Sequence, residues 1–185
     1  MDSLQNHLLV AMPHLADPSF NKSVIYICDH SPRGTMGLVV NRPMTSAKVA
    51  MILNALGMDI GDQPLPLKEV YYGGPVQPGL GFVLHSAEYD REVSNRISDD
   101  LALSTNLDVL EDIRNGIGPA RYRLSLGYAG WGEDQVEREI ANGDWLVIPG
   151  TAEFIFDKPD TTKWEQAASR FGIEIAEMGG QGGAA

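Results

Sequence analysis

The sequence predicts an α+β domain, and three observations carry that reading. Strand-like runs outnumber helical ones, they follow one another directly, and no regular strand–helix–strand alternation runs along the chain. At 185 residues, the chain is long enough for one domain whose core needs neither disulfide nor metal. No repeat or linker divides it. Residues 1–178 are read as one domain, and residues 179–185, almost all Gly and Ala, as a disordered tail.

Residues 7–12 form an apolar run halted by Pro13, which cannot donate to a sheet ladder, and read as a first strand. Residues 23–29, rich in β-branched and aromatic side chains, read as a second. Ser31-Pro32-Arg33-Gly34 suits a type I turn, and residues 36–40 return as the partner strand of a hairpin. Val49, Ile52, Leu53 and Leu56 recur at helical spacing, with Thr45 or Ser46 to cap the start and Gly57 to end it. Residues 59–67 read as a loop. Residues 70–72 and 81–85 are strand-like, divided by the Gly- and Pro-rich stretch 73–79.

Residues 89–97 and 101–104 are weaker strand candidates. Thr105 and Asp108 resemble a capping box for a helix that runs to Asn115-Gly116. Tyr122, Leu124, Leu126 and Tyr128 alternate with Arg121, Arg123 and Ser125, the pattern of a half-buried strand. Residues 133–142 read as a helix stopped by Gly143. Residues 145–148 and 153–156 read as short strands. The last helix sets Trp164, Ala167, Ala168 and Phe171 on one face, with Thr162 and Glu165 as a capping box.

Lys and Arg number 14 against 25 Asp and Glu, a net charge of −11. Phosphate binding needs clustered positive charge, so direct nucleic-acid binding is not expected. A single cysteine, Cys28, excludes an intrachain disulfide and points to a reducing cytosol. No Lys or Arg precedes Lys22, so the charged start of a signal peptide is missing, and no apolar run approaches the ~20 residues of a membrane span. A cytoplasmic protein is expected.

Local catalytic signatures are missing: no phosphate-binding P-loop, no H-E-x-x-H, no G-x-S-x-G and no calcium loop. One cysteine and four scattered histidines make no zinc pattern, so no metal and no cofactor are expected. Three constellations remain. Cys28 and His30, two apart on a strand, would share a face, where His30 could lower the thiol pKa; the plain alternative is a buried cysteine packing as a small hydrophobe. Asn41 and Arg42 close a strand, and Arg42 could hold a carboxylate or phosphate; the alternative is an ordinary surface Arg. Gly73 and Gly74 could turn their N–H groups toward one anion; the alternative is a tight connection.

Several longer stretches look like a known family. Leu9-Val10-Ala11-Met12-Pro13, the run from Ser23 through His30, and Gly37-Leu38-Val39-Val40-Asn41-Arg42-Pro43 resemble the AlgH/YqgE family. Gly73-Gly74-Pro75-Val76, Gly81-Phe82-Val83-Leu84-His85 and Ser125-Leu126-Gly127-Tyr128-Ala129-Gly130-Trp131 continue the match in order. Three positions depart: Asp29 stands where Glu is usual, Leu80 where Arg is expected, and Asp134 where Gly is usual. The resemblance implies a bent, mixed or mostly antiparallel sheet curled toward a pseudo-barrel, with about four helices outside. It implies no established enzymatic activity. One member is named as a regulator of alginate synthesis; here, no helix-turn-helix pattern supports carrying DNA binding over. The reading is a non-enzymatic regulatory or partner-binding protein acting through an unknown protein or small ligand. The alternatives are a small-anion or nucleotide site, hydrolytic or not, at Asn41, Arg42, Gly73 and Gly74, or redox sensing at Cys28.

Overall fold

The computed structural model describes residues 2–44, 46–57, 67, 69–91 and 94–170, with residues 46–50 and 170 as backbone only. The hairpin β1 (His7–Ala11), β2 (Val24–Ser31) and β3 (Gly34–Val39) leads to α1 (Ser46–Ala55). Then come β4 (Val70–Tyr72), β5 (Val76–Ser86), β6 (Ser94–Arg96), β7 (Leu101–Ser104) and α2 (Asp108–Arg114). β8 (Tyr122–Trp131), α3 (Gln135–Ala141), β9 (Trp145–Pro149), α4 (Ala152–Asp157) and α5 (Asp160–Arg170) complete the order. The strands join in the order β6-β7-β5-β8-β3-β2-β1-β9, all antiparallel, with β4 added parallel to β8.

The sheet curls into a half-barrel. On its concave face one core unites strands from both ends, including Leu8, Tyr26, Leu38, Phe82, Leu84 and Leu101. Helices α4 and α5 close one end of this face, where Phe154, Ile155, Trp164 and Ala167 enter the same core. The convex face splits in two: α3 brings Val136 to Ile25, Ile27, Val39 and Trp131, while α1 and α2 bring Leu53, Val109, Leu110 and Ile113 to Val70, Val83 and Leu124. Fully burying one such aliphatic side chain contributes roughly 1.5–3 kcal/mol.

Some elements differ from expectation, each for a local reason. Residues 153–156 form a helix rather than a strand. Thr151 Oγ1 accepts from the Phe154 N–H at 3.1 Å and caps it, and four mostly apolar residues cannot separate a strand from one helical turn by pattern. The cap of α2 is Leu107, not Thr105; Asn106 Oδ1 takes the Asp108 N–H at 2.9 Å instead. Helix α5 begins at Asp160, so Thr162 lies inside it. Residues 76–80 belong to β5 despite Pro78 and Gly79. Strand β8 is not half-buried: Arg123 and Ser125 are 9% and 4% exposed, because its concave face is covered as well. Phe171, the tail 179–185 and most of the expected loop 59–67 lie outside the described residues.

Two glycines set the crossing of β8 with the start of β5. A Cβ on Gly74, whose φ is +153°, would lie 2.1 Å from the Tyr128 carbonyl carbon. One on Gly127, at φ +70°, would lie 2.4 Å from the Gly74 oxygen. Both obstacles are backbone, which cannot step aside.

Gly74→Ala should therefore destabilise the protein by at least about 3 kcal/mol. Gly57→Ala, at φ +74° with nothing near its missing Cβ, should cost only about 1–2 kcal/mol for the left-handed backbone. Urea unfolding of the two variants checks the contrast.

Candidate functional site

Two breaks in strand register shape one end of the half-barrel. In β2 the pairing with β3 shifts between Ile27 and Asp29, leaving Cys28 as a bulge. In β5 the pairing with β8 jumps between Val76 and Gly81, so residues 77–80 arch away from the ladder. A bulge reverses the alternation of the residues beyond it. Cys28 thus stays in the concave core beside Tyr26, while Asp29 also reaches the concave side. Gly127 does the same in β8: Leu124 and Leu126 face the convex core, but Tyr128 packs inward, its ring edge-on to Phe82 at 5.8 Å.

Both breaks border a single cavity of about 630 Å³ at the mouth of the half-barrel. Its walls are apolar: Met36, Phe82, Ile97, Leu103 and Tyr128. Its rim is polar, with Gln5, Asp29, Gln77, Asn95 and Arg96. Gln77 sits at φ +46°, a left-handed conformation that costs a non-glycine residue roughly 1–2 kcal/mol. Leu80, next to it on the arch, is a large apolar side chain left 42% exposed. Asp29, Gln77, Asn95 and Thr105 make no side-chain hydrogen bond among the described residues.

The sequence-derived candidates fall in three places. Cys28 touches the cavity but is only 6% exposed, and its thiol donates to the Tyr26 carbonyl at 3.6 Å. Burial, with the Asp29 carboxylate adding to it, pushes this thiol well up. His30 points the other way. Its Nδ1 accepts from the Leu4 N–H at 2.9 Å, which leaves Nε2–H to donate to Glu137 Oε1 at 2.7 Å. The bulge thus separates Cys28 from His30, where simple alternation puts them side by side.

Asn41 and Arg42 do lie beside Gly73 and Gly74: the Tyr72 N–H donates to the Arg42 carbonyl and the Val39 N–H to the Gly73 carbonyl. Their donors, however, are aimed at the protein. Arg42 donates to the carbonyls of Pro18, Ser19 and Asn21, and Asn41 Nδ2 to that of Lys22. The Gly73 N–H donates to Leu126 at 2.8 Å. This group fastens the loop after β1 to the end of β3.

Sequence reasoning missed the cavity and three polar networks. Glu139 Oε2 accepts from both indoles, Trp131 and Trp145, each at 2.9 Å. Near α5, Asp160 meets Lys163 at 2.6 Å, Arg123 at 3.4 Å and the Tyr71 hydroxyl at 2.8 Å, and Arg123 stacks 4.4 Å above the Tyr71 ring. Burial lowers the Lys163 pKa and raises that of Tyr71. Third, His85 Nδ1 lies 2.9 Å from the Ser86 carbonyl, which can only accept, so Nε2 accepts from Ser104 at 2.8 Å. Ser104 pairs in turn with Ser94. The i,i+3 spacing of Asp160 and Lys163 is a legible signal; the other side-chain pairs join separate elements, which a periodic pattern does not bring together. Among the described residues, no group of His, Cys, Asp and Glu could hold a metal ion, and no helix is long and apolar enough to cross a membrane.

A model of the AlgH-like family, DUF179, matches residues 8–176. A UPF0301 protein of Psychrobacter cryohalolentis is 40% identical over 173 residues, covering 94% of this chain and 92% of that protein. One from Burkholderia vietnamiensis is 41% identical over 185 residues, covering 98% and 95%. Among solved structures, the solution structure of AlgH from Pseudomonas aeruginosa is similar at a TM-score of 0.76 and 38% identity, covering 100% of this chain and 97% of that one. A crystal structure of a Corynebacterium diphtheriae protein is similar at 0.71 and 25% identity, covering 89% and 85%.

His85 is fully buried, and burial lowers its pKa from 6.5. The unfolded chain takes up this proton near pH 6.5 while the folded protein does not, so stability is full above that pH and falls as pH drops toward the folded pKa. The decline should reach at most about 1.4 kcal/mol per pH unit. Urea unfolding between pH 7 and 5 should show this slope, and His85→Gln should flatten it.

Proposed function

The chain belongs to this AlgH-like family, and we propose that it is a non-enzymatic binding protein whose site is the cavity at the mouth of the half-barrel. The observation that carries this reading is that both register breaks of the sheet border that one cavity. A sheet that only needed to cover a core would keep its pairing; bulges re-aim side chains and recur beside working sites. The volume lies within the roughly 300–1,000 Å³ typical of small-ligand pockets, and barrel mouths are a common place for them. Apolar walls with a polar rim whose Asp29, Gln77 and Asn95 side chains make no hydrogen bond among the described residues suit a small amphipathic ligand. A regulatory role would follow if ligand occupancy changed what the arch at residues 77–80 offers to a protein partner.

The other readings have less support. The donors of Arg42 and Gly73 are already directed at backbone carbonyls, which disfavours an anion or nucleotide site there. Burial of the Cys28 thiol disfavours redox sensing, because the thiolate is the reactive form. A lone unpaired cysteine suits a cytoplasmic location.

Titration with anilinonaphthalene sulfonate, a small amphipathic fluorophore, tests the site. The native protein should bind it saturably at one site. Met36→Trp, which fills the cavity from β3, should weaken binding at least tenfold while the melting temperature stays within a few degrees. Undiminished binding by a folded Met36→Trp protein would sink the reading.

A further inference from the structure

We infer that the ligand class is a small zwitterion with an apolar body, the chemistry of an apolar amino acid or a short peptide with free ends. This rests on the mouth cavity being a binding site. The argument is the placement of charge around it. Two ionised side chains line the cavity, and they have opposite sign: Asp29, delivered by the bulge in β2, and Arg96, on the edge strand β6. They come from different elements of the half-barrel, strands that do not pair with each other.

Neither charge is neutralised within the protein. Asp29 and Arg96 form no ion pair with each other or with any other described residue. Arg96 has one long hydrogen bond, to the Ala87 carbonyl at 3.4 Å, and Asp29 has none. Arg91, Arg114, Arg121, Arg123 and Lys163 each hold a carboxylate; Arg96 lines the cavity without one. A carboxylate and a guanidinium held apart beside an apolar surface complement a molecule with an ammonium at one end and a carboxylate at the other. Charge-assisted hydrogen bonds at both ends would fix its orientation. A simple anion would leave Asp29 unmatched, and a simple cation would leave Arg96 unmatched.

The polar neighbours fit the same class. Asn95 beside Arg96, and Gln77 on the arch, offer amide donors and acceptors of the kind a peptide bond uses. Phe82, Tyr128, Met36 and Leu103 form the surface on which aliphatic side chains would be buried. Leu80, exposed on the arch, lines the same cavity.

The test uses the full-length protein and four probes: leucyl-leucine, its N-acetyl form, its C-terminal amide, and the fluorophore already named. Binding is read by displacement of the fluorophore and by amide chemical-shift changes around Phe82 and Leu103. Leucyl-leucine should bind, and each capped form should bind at least tenfold more weakly. Asp29→Asn should weaken leucyl-leucine tenfold yet leave the N-acetyl form unchanged; Arg96→Gln should weaken it tenfold yet leave the amide unchanged. Both residues are exposed, so both variants should fold. Equal binding of free and capped peptides, or no peptide binding in a protein that takes up the fluorophore, overturns the zwitterion and leaves the cavity reading intact. If neither peptide nor fluorophore binds, both fall.

Discussion

The close passage of the backbone at Gly74 past that at Gly127 is the constraint on which the rest of this molecule hangs. Either added Cβ would meet a main-chain atom within 2.4 Å. At this crossing one edge of β8 changes partners: Leu124–Leu126 pair with β4 and Ala129–Trp131 with β3, while β5 pairs up to Leu126 and again at Tyr128. Gly127, at φ +70°, also reverses which way the following side chains face. Tyr128 is thereby turned into the concave side, and β5 must arch over residues 77–80 to regain its register at Gly81. Curl, arch and cavity thus share one cause.

The two ends of the half-barrel then differ in how their polar groups are used. At the end closed by α4 and α5, the buried charges of Arg123 and Lys163 have their counterpart in Asp160. Arg123 donates to the Val40 carbonyl at 2.8 Å and stacks on Tyr71, while Lys163 bonds Asp160 and the Lys158 carbonyl. A buried charge left without partners would be strongly destabilising, so this end is committed to holding helix α5 in place. The double indole contact of Glu139 does the same for α3 on the convex face. At the open end, Asp29, Gln77, Asn95 and Thr105 keep their hydrogen-bonding capacity. That asymmetry separates the polar groups that build the fold from those free to meet something else.

How much of this could be read in the chain follows the same division. The hairpin, the helices at 46–55 and 135–141 and the strand at 145–149 are written in local periods and turn residues, and they form where those signals lie. The family resemblance supplied the curl, which no local pattern contains. Strand parity failed at Cys28 and at Gly127, since a break in alternation is set by how the strand pairs with its neighbours and not by its own pattern. The Cys28–His30 pairing dissolves for that reason, and Asp29, which parity puts outside, is turned to the cavity. Arg42 illustrates a different limit. Its type and position suited an anion, but only the folded loop at 18–21 shows that its donors are already engaged.

Asp134, Asp29 and Leu80 gain meaning once placed. Asp134 sits at φ +54°, a conformation glycine adopts freely and Asp tolerates better than most residues. It lies away from the cavity. Asp29 and Leu80 both border the cavity, one with a carboxylate and the other with an exposed aliphatic side chain. Phe82 and Tyr128 form the wall behind them. A cavity that only filled space would place no demand on the charge at its rim. With Leu80 apolar, Arg96 is left as the cationic side chain at the mouth, facing a carboxylate it does not pair with. In this chain, then, the rim has the charge balance of a dipolar ligand rather than of an anion.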